Sequence, residues 1–97
     1  MTTELTKEQE IQLLINLMEE AGEVVQAASK WLRFGPDSCS PKDETKTIHR
    51  ILLAREIGNL LGIASILSEY HFIHDNDIRD GIEKKANAMI QYGVVPE

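Results

Sequence analysis

What is scarce in this chain narrows the choices before any motif is read. A single cysteine, Cys39, leaves no internal disulfide to form and points to a reducing compartment, with the cytoplasm as the default. Only five of 97 residues are Phe, Trp or Tyr. Basic residues number 10 against 16 acidic ones, a net charge of -6. The basic face that a phosphodiester backbone demands is therefore missing, and nucleic acid is not an expected partner. Small polyphosphates held through a metal stay open. No apolar run reads as long enough for a signal peptide or a membrane span. Period-two alternation is absent as well, which predicts an all-α chain. At this length the chain is one small domain over 1–97, burying roughly 60–65% of its unfolded surface, so a partner is expected to complete its core.

The elements follow from caps and spacing. After a polar leader over residues 1–5, Thr6 with Gln9 three residues on reads as a capping box, opening a first helix over about 7–34. Ile11, Leu14, Met18, Ala21, Val25, Ala28 and Leu32 recur at steps of three and four, and Leu13, Leu17, Val24 and Trp31 make a second line beside them. A surface this wide needs neighbours on two sides. Gly35, Pro36 and Pro41 mark a loop over 35–43. A second helix is predicted over about 44–70, with Ile48, Leu52, Ile63 and Ile66 on one face and Leu53, Ile57, Leu60, Ala64 and Leu67 on another. After the connector 71–77, a third is expected over about 77–91, capped by Asp75 or Asn76 and carrying Ile78, Ile82, Ala86, Met89 and Ile90.

Against this apolar background the acids stand out. Glu19, Glu20 and Glu23 interrupt the first helix; Glu20 and Glu23 share one face, which Ala27 and Lys30 continue. Glu56 and Asn59 repeat the three-residue spacing on the second helix. Burying like charges without a counter-charge costs several kcal/mol, so if these faces meet inside the fold a cation must sit between them. Three carboxylates and an amide oxygen are hard donors of the kind that Mg²⁺ or Mn²⁺ takes. A solvated acidic face is the plain alternative. A helical di-iron centre is disfavoured, because no Glu-x-x-His occurs. His71 and His74 read as exposed connector residues, and Cys39, with no base nearby in sequence, as incidental.

Glu19-Glu-Ala-Gly-Glu23 followed by Glu56-Ile-Gly-Asn59, together with Gln26-Ala-Ala-Ser-Lys-Trp-Leu-Arg-Phe-Gly35, resembles the Glu-Glu-x-x-Glu … Glu-x-x-Asp signature of the MazG-like, all-α nucleoside triphosphate pyrophosphohydrolases, over about residues 10–92. The resemblance implies a homodimer or dimer of dimers whose helices complete a four-helix core. It also implies Mg²⁺-dependent cleavage of an NTP or dNTP between the α and β phosphates, giving a monophosphate and pyrophosphate. Glu20, Glu23, Glu56 and Asn59 are then the metal ligands, with Glu19 the acid left over to take a proton from water. Lys30, Arg33, Lys84 and Lys85 become candidates for the phosphate chain, Trp31 for stacking on the base and Asn87 for a base or sugar edge. Asn59 departs from the pattern, since the family has aspartate there. An amide oxygen still ligates, but with one negative charge fewer metal affinity falls, and a catalytically weakened nucleotide-binding or dimeric interaction module is the rival reading.

Overall fold

Thr6 sets the start of the first helix through a reciprocal cap. Its hydroxyl accepts from the Gln9 amide at 3.1 Å, and its own N–H donates to the Gln9 side chain at 2.8 Å. From there, in a computed structural model that describes residues 4–97, α1 runs Lys7–Phe34, about 42 Å at 1.5 Å per residue. The first three positions of the expected leader lie outside the described residues. Gly35 ends α1 with φ 90°, in the left-handed region that a side chain disfavours.

The second helix, α2, spans His49–Glu69 and not the expected 44–70. Local side-chain chemistry explains the late start. Asp43 accepts hydrogen bonds from the Thr45 hydroxyl at 2.6 Å, the Thr45 N–H at 2.9 Å and the Thr47 N–H at 3.1 Å, and Lys46 turns to φ 56°. Those bonds compete with a helix for the same backbone groups. They also hold the Asp43 carboxyl below its ordinary range, the Thr45 hydroxyl contributing most. The N-terminus of α2 is instead capped by the connector itself. The N–H groups of His49 and Arg50 donate to the carbonyls of Ser38 (2.9 Å) and Pro36 (2.8 Å).

At its other end α2 closes in a Schellman motif with His71 in the left-handed position, φ 66°. Its N–H donates to the Ser68 carbonyl, and that of Phe72 donates to Leu67. The third helix, α3, spans Asp75–Gln91, two residues earlier than expected. His74 is the cap residue and offers no side-chain bond, while Asp75 is engaged otherwise, accepting from the Ser68 hydroxyl. Gly93 repeats the Schellman closure at the end of α3, with φ 74°. All three described elements are helices; between Cys39 and Ile48 there is only an isolated antiparallel bridge.

The first two helices pack antiparallel. Arg50 at the start of α2 lies over Trp31 near the end of α1, and Ile66 and Tyr70 share a groove with Leu5 and Leu13 at the opposite end. The seam takes the second apolar line of α1 (Leu13, Leu17, Val24, Trp31), closed around Ala27 and Leu67, which are 7% and 2% exposed. The first line is left open, with Met18 at 66%, Val25 at 68% and Leu32 at 85% exposure. α3 stands apart from this pair and has no buried residue. The radius of gyration, 16.7 Å, exceeds the roughly 12.5 Å of a compact domain this long. The accessible surface, 7778 Å², is about 2,200 Å² more than a compact monomer of this mass exposes.

One expectation from sequence is corrected here. α2, at 21 residues, is by length and composition long and apolar enough to cross a membrane, although little of it is covered within the chain. Arg50, Arg55, Glu56 and Asn59 break every contiguous apolar run in its first half, which hides the apolar character of the whole.

Candidate metal centre

Steps of three and four through the α1 seam run Leu13, Leu17, Glu20, Val24, Ala27, Trp31, so Glu20 takes a position that packing otherwise gives to an aliphatic side chain. On α2 the sequence Leu53, Glu56, Leu60, Ala64, Leu67 does the same for Glu56. Antiparallel packing brings the two acids together at mid-seam. Glu23, one turn beyond Glu20, joins them from the exposed rim, and ligand oxygens of Glu20, Glu23 and Glu56 all lie within 4.8 Å of one another.

The electrostatics of this cluster are uncompensated. Oε2 of Glu20 and Oε2 of Glu56 are both shielded from water and without a hydrogen-bond partner. Buried carboxylate oxygens with no donor are costly unless a proton or a cation satisfies them. The Glu56 carboxyl is pushed above its ordinary range, first by its hydrogen bond to Glu23, then by burial and by the Glu23 charge, against a smaller opposing pull from the Asn59 amide. Among the described residues the ion pairs are Lys7–Glu10 at 2.7 Å and Arg50–Asp37 at 3.1 Å, neither of them at the cluster. Two orphaned oxygens, a third carboxylate in reach and a neighbouring amide fit the oxygen-rich coordination that a divalent cation of the Mg²⁺ or Mn²⁺ kind takes.

The other residues picked out from sequence fall in several places. Glu19 is exposed and stands outside the cluster. Lys30 is exposed two turns beyond Glu23, about 10 Å along the same face of α1. Arg33 lies over the neighbouring Phe34 ring at 4.8 Å. Trp31 is half-buried, with the Arg50 guanidinium 5.1 Å from its ring centroid, so the face open to a base is already covered by a cation. Lys84, Lys85 and Asn87 are exposed on α3, away from the α1–α2 seam. His71 and His74 are exposed, and Cys39 is a free, half-buried thiol.

Sequence reasoning passed over three residues at the connector. The Arg50 guanidinium makes a two-point contact with Asp37, Nε to Oδ1 at 3.1 Å and Nη2 to Oδ2 at 3.3 Å, while lying over the Trp31 ring. His49 is the most deeply buried polar residue, 2% exposed, with its ring 5.9 Å from that of Phe34 and its Nδ1 unpartnered. No periodic pattern links positions thirteen apart across a loop, so only the bulk of Trp31 hinted that something would pack there.

A scan against protein-family models finds no match, and neither the curated proteins nor the solved structures yield one similar to this chain.

Proposed function

We propose that this chain is a Mg²⁺-dependent nucleoside triphosphate pyrophosphohydrolase of the MazG-like type, Mn²⁺ being an alternative metal, and that it acts in the cytoplasm as a homodimer or dimer of dimers. The observation that carries the reading is the mid-seam meeting of Glu20, Glu23 and Glu56, with two of their oxygens buried and unpartnered. These three acids would hold the cation, with the Asn59 carbonyl oxygen beside them. Bound there, a divalent ion would supply charge neutralisation at the phosphates and a more acidic water, whose attack on phosphorus breaks the anhydride bond between the α and β phosphates.

The chain's own groups do the rest. Whichever acid is left off the metal would accept a proton from the attacking water, and Glu19, which stands exposed outside the cluster, is that acid when Glu20, Glu23 and Glu56 all ligate. Lys30 and Arg33, further along α1, supply cations for the leaving pyrophosphate. The open α1 stripe and the surplus of about 2,200 Å² match what obligate homodimers bury, so a second copy is the natural cover. The apolar surface of α2 belongs to that assembly and not to lipid, because Arg55, Glu56 and Asn59 at mid-helix are costly in a bilayer.

Incubation with each NTP and dNTP in Mg²⁺ or Mn²⁺ tests the reading. Pyrophosphate and monophosphate are expected, and Glu20→Gln or Glu56→Gln should abolish both. Asn59, which leaves the cluster one charge short, favours the second reading, a nucleotide-binding or interaction module without turnover. In that case nucleotide binds in the presence of metal and no pyrophosphate appears.

A further inference from the structure

Arg50 is a cation fixed in place before any ligand arrives. Its backbone N–H donates to the Pro36 carbonyl at 2.8 Å, its guanidinium lies over Trp31, and Asp37 grips it through Nε at 3.1 Å and Nη2 at 3.3 Å. Asp37 is held in turn, because Pro36 and Ser38 on either side of it accept from the first turn of α2. A guanidinium oriented in this way is a directional fork, not a loose charge.

The grip is side-on. It uses Nε and one N–H of Nη2, leaving the Nη1–Nη2 edge with two adjacent N–H groups and no acceptor among the described residues, on a side chain 53% exposed. Two such donors match two adjacent acceptors. A phosphate offers them, but only by bringing its charge against the Asp37 carboxylate, which already neutralises the fork. Guanine offers O6 and N7 without charge, whereas adenine sets a donor beside its N7 and cytosine presents a donor. Hypoxanthine has the same O6 and N7 edge.

Position agrees with this chemistry. Arg50 stands six residues before Glu56, about 9 Å along α2, and Trp31 eight residues beyond Glu23, about 12 Å along α1. Lys30 lies one residue before Trp31, about 100° round α1, so phosphates and base take separate sides. Resting on the hydrolase reading above, we infer that Arg50 reads the base, backed by Trp31 and positioned by Asp37, and that the substrate is a guanine or hypoxanthine nucleoside triphosphate.

Base selectivity tests this. In Mg²⁺, kcat/KM for GTP is expected to exceed that for ATP by roughly 5- to 150-fold, the discrimination of one bidentate arginine–guanine pair, with ITP close to GTP. 7-Deaza-GTP, which lacks only the N7 acceptor, should fall toward ATP. Arg50→Lys keeps the charge without the fork and should bring the GTP-to-ATP ratio near one; Asp37→Ala frees the fork and should lower the ratio. An equal loss on every triphosphate, with the ratio unchanged, makes Arg50 a phosphate or structural residue and overturns the assignment. A wild type indifferent to the 7-deaza change does the same.

A second measurement needs no turnover. Trp31 is the only tryptophan, so its emission reports on the guanidinium above it. GMP is expected to shift that emission at a concentration at least about tenfold below AMP. Selective GMP binding with no pyrophosphate from any triphosphate refutes the hydrolase and keeps the base site. Pyrophosphate released without base preference refutes the base site and keeps the hydrolase.

Discussion

Glu56→Gln separates a site shaped for a cation from acids that merely lie close, because it should move two quantities in opposite directions. In the metal-free protein Glu56 faces Glu20 and Glu23 with oxygens within 4.8 Å and carries a carboxyl displaced toward its protonated form. Two unit charges at that separation repel by about 0.9 kcal/mol in water and by roughly 3.5 at an effective dielectric of 20. Exposure of Glu23 places the pair near the lower figure, and an amide at position 56 can still donate to Glu23. The substitution should therefore stabilise the apoprotein by about 1 kcal/mol, raising Tm by about 4–8 °C for a domain of this size. The same change removes a charged ligand, so Mg²⁺ affinity should fall at least about tenfold, the order by which even a supporting residue tunes a site. Calorimetric melts at matched protein concentration with and without Mg²⁺ read both, the concentration being fixed because assembly shifts Tm. A variant that melts lower than wild type without metal, or one that keeps its metal-dependent rise in Tm, refutes the reasoning.

Three further outcomes follow from the same geometry. Because the Glu56 carboxyl is raised from its ordinary 4.5, the folded state holds its proton more tightly than the unfolded chain does. The stabilisation it gives is present below pH 4.5 and lost as pH rises through the raised value, while Mn²⁺ affinity climbs over the same interval; titration calorimetry at two pH values in buffers of different ionisation heat should show proton release on binding. Asn59→Asp restores the missing charge and should tighten Mg²⁺ several-fold, at the expense of a less stable apoprotein, with an unchanged isotherm removing Asn59 from the site. On the proposed homodimer, Met18→Glu with Val25→Glu places charge on the open stripe of α1 and should yield a monomer by light scattering; a dimer that survives both substitutions moves the proposed interface elsewhere.

Much of the helical order was legible because short-range chemistry fixes it. The Thr6–Gln9 cap, Gly35 and the two apolar lines of α1 determine that helix within its own span, and the structure places it at the predicted bounds. The start of α2 was not legible. Glu44 and Lys46 suit a helix by propensity, and what holds the segment out of one is the Asp43 side chain taking the N–H groups of Thr45 and Thr47, with the connector carbonyls of Pro36 and Ser38 then capping Arg50 and His49 from a distance no periodicity reports. Which of the two α1 lines would be closed within the chain was equally hidden, since both are apolar and recur at the same steps.

The acids were legible for a different reason. Glu20 and Glu56 break a pattern that packing otherwise enforces, and a violation held in the middle of a seam is sustained only when something there compensates for it. Glu19, though part of the same acidic run, breaks no pattern: it lies off the seam, exposed, and the structure leaves it out of the cluster. The informative signal was therefore the register of each acid against the hydrophobic period, not its place in a motif.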